Sequence, residues 1–324
     1  GKVPPTTSGR ADHVTDPDFD PSTADLPGLE LLGEPQLRFL EAWADDWDGA
    51  EMKAVLSQTI FTAMATHHGQ PENRLVADYD TNAWPQTARN EAVKAIRRAF
   101  AFHLAGDQHL AAVVHYGIET HRDAGVAFAS PAINNLYPRW FWPETPGEHR
   151  PQGAPEYLGD FRDSFGHPLT VLACANPQPT RRPGVLDAET DKAAGFGVVR
   201  FHKPDRTITV ECWPLLADPT KPGTQFPGWP MVVSQLDCGG ARAAKAELPE
   251  LIVRGADRPV VRVIDETSGE PVYSLRLPGA RWRPFTFVEG TYTIRVVDPQ
   301  TGRSAERRGL VARKGNDETI EVTL

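Results

Sequence analysis

The chain has 324 residues, 40% apolar and 24% charged, enough for about two domains and for a core that needs no disulfide staples. Subtracting 34 Lys and Arg from 43 Asp and Glu leaves a net charge of −9, which argues against a general nucleic-acid binder or a surface drawn to anionic lipid. Cys174, Cys212 and Cys238 form no C-x-x-C pair, no apolar run approaches the roughly 18 residues of a membrane span, and no signal peptide opens the chain.

Gly1 in place of Met implies a start removed by processing or truncation. Residues 1–30, rich in Pro, Asp, Ser and Thr, lack an apolar period and predict an extended arm that buries no core of its own. From Leu31 the texture changes. Pro35 sits where a first helical turn tolerates proline, and Leu37, Leu40, Trp43 and Trp47 follow at helical spacing. KAVLSQT, Lys53 to Thr59, has the length and composition of a covered strand. A second helix is predicted over Thr87–Phe100, with Thr87 as cap and Ala88, Ala92, Val93, Ile96 and Phe100 on one face. It leads into AFHLAGDQH, so that helix, strand, helix and strand alternate as in a layered α/β sheet.

Beyond His109 come short β runs: HLAAVVHYG, GVAFAS, PLTVLACA, GFGVVRF and RTITVECWP, the last two joined by a turn at Lys203–Arg206. Proline-rich stretches at 132–166 and 214–231 predict loops, which absorb much of the excess of 30 Pro and 27 Gly. After a linker at 240–247, evenly spaced runs (VVRVIDE, PVYSLRL, PFTFVEG, YTIRVVDP, ETIEVTL) predict an all-β sandwich over 248–324. Its Tyr273, Trp282, Phe285, Phe287 and Tyr292 read as core rather than as a sugar-binding face.

The sharpest chemical feature is Gly106-Asp107-Gln108-His109 at the end of a predicted strand. Strand ends of layered sheets open onto the ligand crevice, and Asp107 and His109 offer one oxygen and one nitrogen ligand to a metal. A capping Asp beside a surface His is the plainer reading. His67-His68 could share that rim or be a solvated pair in a loop. Asp80, Asn82 and Trp84 stand just before the second helix, where phosphate approach and ordinary capping both fit. Arg89 could reach a phosphate or pair with a carboxylate. Arg139, amid Tyr137-Pro138-Arg139-Trp140-Phe141-Trp142, could clamp an oxyanion or stack on tryptophan. His115 and His121 read as structural, and the cysteines have no evident histidine partner. No G-x-S-x-G, Walker A or G-x-G-x-x-G element stands in a suitable context.

Taken in order, LLGEPQLRFLEAWADDW, KAVLSQTIFTAMATHHG, DYDTNAWPQTARNEAV, FHLAGDQHLAAVVHYG, SPAINNLYPRW and GFGVVRFHKPDRTITVECWP resemble the carboxyl-terminal half of alkaline phosphatase D (PhoD-like) proteins of the calcineurin-like metallophosphoesterase superfamily. The resemblance spans about residues 31–239. It implies an α/β class, part of a four-layer α/β/β/α fold, followed here by the sandwich as an Ig-like or transthyretin-like module. It implies two or more divalent or trivalent ions (Fe, Ca, Zn or Mn), with Asp107 and His109 as metal ligands, and it implies Asp80, Asn82, Trp84, Arg89 and Arg139 near the substrate, with His67 and His68 on the rim.

The implied reaction is attack of metal-activated hydroxide on a small phosphate ester. The superfamily's early ligand motifs have no counterpart here, and Asp12-His13 has no predicted strand to present it. The chain is therefore expected to be either a fragment of a longer enzyme or one chain of a split or processed one whose amino-terminal half a second chain supplies, and export to the periplasm, surface or medium is expected. The alternatives are a non-catalytic remnant and a binding or adhesion protein acting through the sandwich.

Overall fold

The structure, a computed structural model, describes residues 10–134, 137–178 and 191–324. The first nine residues of the arm, and positions 135 and 136 of SPAINNLYPRW, lie outside them. Among the described residues strand makes up 35% and helix 12%, so the protein is β-rich and built of several sheets. Among the described residues no helix is long and apolar enough to cross a membrane.

In chain order the first part runs β1 (His13–Val14), α1 (Glu34–Asp45), β2 (Ala54–Leu56), β3 (His67–His68), β4 (Gln70–Arg74), β5 (Ala77–Asp78), α2 (Gln86–Arg98), β6 (Phe102–Ala105), β7 (Ala111–Tyr116) and β8 (Val126–Ala129). There follow β9 (Arg139–Trp140), β10 (Gly159–Arg162), β11 (Pro168–Ala175), β12 (Gly195–His202), β13 (Thr207–Pro214), β14 (Met231–Ser234) and a single turn, α3 (Gln235–Cys238).

The central sheet has the order β10-β11-β7-β8-β6-β2. β2, β6 and β8 run parallel, and the remaining pairs are antiparallel. All six residues of β7 are buried, because successive side chains enter two different cores. Ala112, Val114 and Tyr116 face one that includes Ala92, Val93 and Ile96 of α2. Ala111 and Val113 face another that includes Ile208, Val210 and Val233 of the second sheet, β12-β13-β14. The continuous apolar run HLAAVVHYG is thus that of a strand covered on both sides. The layers are helix, sheet and sheet; among the described residues no helix of more than one turn covers the far face of β12–β14, where the resemblance placed a fourth layer.

The amino-terminal arm, with no core of its own, packs into one supplied largely by later residues. Val14 and Ala24 are buried with Ala77, Tyr79, Ala83 and Phe165, and Phe19 stands edge-on to Tyr79 and Phe165. Trp84 Nε1 donates to Ala24 O at 2.8 Å, and Gln86 Nε2 to Pro21 O at 2.6 Å. Thr87 does not cap α2. Pro85 occupies that position without a side-chain bond, and the Asp25 carboxylate of the arm accepts from the N–H and the Oγ1 of Thr87.

The carboxyl-terminal part is all strand: β15 (Ala246–Glu247), β16 (Glu250–Arg254), β17 (Val260–Asp265), β18 (Pro271–Arg276), β19 (Arg281–Trp282), β20 (Phe285–Thr286), β21 (Gly290–Val297), β22 (Ser304–Ala312) and β23 (Thr319–Thr323). The sheets β18-β17-β21-β22 and β19-β16-β23 share one core, with Val261, Tyr273 and Ile294 from the first and Leu251, Val253 and Val322 from the second. Trp47 and Phe100 of the preceding part belong to that core too. Trp47 Nε1 donates to Ser274 Oγ at 3.1 Å, and Arg276 Nη1 to Ala50 O at 2.9 Å. Residues 240–247 are therefore a packed seam, with β15 paired to β20, and the predicted linker is a short structured bridge.

Candidate functional site

The Gly106–His109 turn leaves the carboxyl end of β6, whose neighbours β2 and β8 run parallel to it, the place where an α/β sheet opens to a ligand. Asp107 and His109 both adopt left-handed backbone, with φ of 60° and 52°. Two non-glycine residues so close together in that region cost of order 1–3 kcal/mol each and persist only when neighbours fix them. The loop after β2 does the fixing. Gly106 N donates to Gln58 O at 3.0 Å, Gln58 Nε2 to Asp107 Oδ2 at 3.0 Å, and the buried Gln108 amide to Thr59 Oγ1.

His109 has a determined tautomer. Its Nδ1 lies 2.8 Å from Tyr137 O, and a carbonyl only accepts, so Nδ1 carries the proton. In the neutral ring Nε2 is then a bare lone pair. This is how metal-binding histidines are commonly oriented, the second ring nitrogen donating to a carbonyl or carboxylate. Asp107 is exposed and carries a carboxylate on the same turn, its Oδ2 accepting from Gln58 Nε2. The donor pair fits a borderline or hard cation.

A second group lies next to it. Donor atoms of Asp12, His13 and Asp78 fall within 4.8 Å of one another. Periodicity predicts no strand there, yet His13 pairs with Asp78, and Val14 with Ala77, across β1 and β5. A two-residue strand carries no period, so only its pairing reveals it. Both carboxylates already hold arginines, Arg10 on Asp12 at 3.1 and 2.5 Å and Arg139 Nη1 on Asp78 Oδ2 at 2.8 Å. Burial, above all, lowers the His13 pKa and favours the neutral ring. The charges are balanced as they stand, and a cation here would have to displace Arg139. A resident metal at this group would compete with Arg10 and Arg139 for the same carboxylate oxygens.

The other sequence candidates divide. His68 rests edge-on to His13, centroids 4.3 Å apart, and its Nδ1 bonds Tyr137 Oη. Its strand neighbour His67 faces the other way, toward Trp142 at 5.2 Å, as alternation requires. The two do not act as a chelating pair. Burial lowers both pKa values, helped by Arg74 for His67 and by His13 for His68. Asp80 is exposed, and its pKa is raised by partial desolvation and then by Asp78, Asp107 and Asp12. It shares the carboxylate-rich side of the site.

Four assignments are corrected to structural roles. Arg89 is wholly buried, with Nε on Phe61 O at 2.9 Å and Nη1 on Gly117 O at 2.7 Å. Arg139 is 9% exposed and spent on Asp78, not stacked on tryptophan or open to an oxyanion. Asn82 donates to Thr59 O at 2.9 Å and braces the loop after β2; Trp84 holds the arm. Cys174, Cys212 and Cys238 are free and buried, and burial raises all three thiol pKa values, which removes them as nucleophiles.

Clefts of about 670 and 710 Å³ lie elsewhere. The first is lined by α1, α2 and the carboxyl-terminal sheets, the second by Thr66, Arg74, Phe141 and Asp160 among others. Neither includes Asp107 or His109, and among the described residues the close group of three metal-binding donors is Asp12, His13 and Asp78, which lies in neither. A scan against protein-family models finds no match, and searches of curated proteins and of solved structures find none either.

Proposed function

We propose that the protein is a metal-dependent hydrolase of phosphate esters, of the kind the PhoD-like resemblance implies, with the Gly106–His109 turn as its metal-holding element. The carrying observation is the His109 ring, its Nδ1 proton committed to Tyr137 O and its Nε2 left as a lone pair, two residues along the same turn from the Asp107 carboxylate. In this reading the helix, sheet and sheet layers are three of the four in an α/β/β/α fold. Asp107 and His109 would hold the metal, which when bound supplies an acidified water and offsets phosphoryl charge. Asp80, whose pKa is raised by partial desolvation and by Asp78, Asp107 and Asp12, lies on the same carboxylate-rich side and would face the substrate. Two protein donors do not fill a coordination sphere, so water, substrate or a second chain completes it. Fe, Ca, Zn and Mn all remain compatible with one carboxylate and one imidazole, and the exported setting follows the resemblance alone.

Calorimetric titration with Mn²⁺ and Zn²⁺, together with hydrolysis of p-nitrophenyl phosphate mono- and diesters, tests this reading. The wild-type chain is expected to bind metal, and Asp107→Ala/His109→Ala to bind at least tenfold more weakly. Equal binding by both, or none by the wild type, overturns the assignment. A second reading, binding without catalysis, is favoured by the arginines that occupy Asp12 and Asp78. It is distinguished by wild-type protein that takes up metal yet hydrolyses neither ester.

A further inference from the structure

A chain of hydrogen bonds runs from the buried interior out to the metal-holding turn, and its proton positions can be read. His103 on β6 is fully buried. Its Nε2 is 2.7 Å from Ser57 Oγ and its Nδ1 is 2.9 Å from Tyr116 Oη. Ser57 Oγ also lies 2.5 Å from Thr59 O. A carbonyl cannot donate, so the Ser57 proton goes to Thr59 O, and Ser57 Oγ must accept from His103 Nε2–H. The neutral ring then accepts at Nδ1 from Tyr116 O–H, while Tyr116 Oη accepts from Phe61 N–H at 2.9 Å. Donors and acceptors alternate without conflict. Ser57 and His103 are therefore not a nucleophile and its base, because the base lone pair is on the wrong nitrogen.

The far end of the chain has a different use. Ser57 and Thr59 flank Gln58, whose carbonyl holds Gly106 N and whose side chain holds Asp107 Oδ2. Thr59 in turn receives Gln108 at its hydroxyl and Asn82 at its carbonyl. His103 thus staples the loop after β2 to its own strand, three residues before the turn that this loop grips. We propose that His103 is a positioning residue for the Gly106–His109 turn, acting through Ser57 and Gln58 to hold Asp107 in its left-handed, metal-ready conformation. The inference rests on the metal-site reading above and adds a residue that touches neither metal nor substrate.

The test uses the full chain and Mn²⁺. Loss of an outer partner typically weakens metal affinity 10–100-fold, so His103→Phe is expected to bind Mn²⁺ about tenfold more weakly at temperatures where circular dichroism shows it folded. His103→Gln, which keeps a donor toward Ser57, should recover most of the loss. The effects of His103→Phe and Gln58→Ala should not add, because one acts through the other. Should His103→Phe fail to fold, Ser57→Ala breaks the same chain at a half-buried position. Unchanged Mn²⁺ affinity in folded His103→Phe or Ser57→Ala, or strict additivity with Gln58→Ala, overturns the inference. A wild type that binds no metal overturns the site reading instead. In that case hydrogen exchange at the Gly106 amide still decides the staple, with faster exchange in His103→Phe supporting it and unchanged exchange refuting it.

Discussion

Asp25 caps a helix 62 residues away: its carboxylate accepts from Thr87 Oγ1 at 2.6 Å and from Thr87 N at 3.2 Å. One side chain thereby satisfies an orphan N–H of the first turn of α2, places a negative charge at the positive end of its dipole, and anchors the arm. Loss of a capping side chain costs about 1 kcal/mol. Asp25→Ala is expected to lower the urea midpoint accordingly and to speed proteolysis between residues 14 and 24. A variant equal to wild type in both assays would show that the arm is held without this bond.

Arg89 is expected to matter for stability. Its guanidinium serves Phe61 O and Gly117 O inside the core, and truncation strands two buried carbonyls at about 1–3 kcal/mol each. Arg89→Met should lose about 2–4 kcal/mol in denaturant titration. Arg89→Lys should recover little, since an ammonium cannot reproduce the planar fork. Full stability in Arg89→Met would contradict this role.

Acid sensitivity should begin near the ordinary histidine pKa. Burial pushes His103 down to about 3 and His115 down to about 4. Between pH 6.5 and those values the unfolded chain takes up protons that the folded chain refuses, so stability falls as pH falls and is flat on this account above 6.5. Each ring contributes about 2 kcal/mol of loss at pH 5. Urea titrations from pH 7.5 to 4.5 measure the slope, and His115→Phe should remove its own share, about 2 kcal/mol of the loss at pH 5. An unchanged slope in that variant would exclude His115 as a source.

The carboxyl-terminal sheets should not behave as a detachable module. Trp47 is 2% exposed within their core, and large-to-small changes at such aromatic sites cost 3–5 kcal/mol. Trp47→Ala is expected to lower the single thermal transition of the whole chain. Two separate transitions in calorimetry, only one of them shifted, would show independent domains instead.

Much of the framework was legible in the sequence because burial leaves a period. Pro35 and the Leu37, Leu40, Trp43 spacing marked α1, and the double-sided apolar run marked β7. The alternating aromatic residues of the last third read as core, and Tyr273, Phe285 and Tyr292 are buried there. What escaped had no period to show. β22, SAERRGLVA, lies at the end of its sheet and is exposed at most positions, and charged edge strands lose the alternation that betrays inner ones.

At the site the sequence by itself determined the donor types: an Asp and a His two apart after an apolar strand. Only the tertiary structure decided what each donor can do. Tyr137 O fixes the His109 proton, Gln58 holds Asp107, Arg139 neutralises Asp78, and burial makes Arg89 a structural cation. These are contacts between residues 28 to 61 positions apart. Periodicity reports how one segment meets the core, whereas protonation and charge pairing depend on which distant groups the fold brings within hydrogen-bond reach.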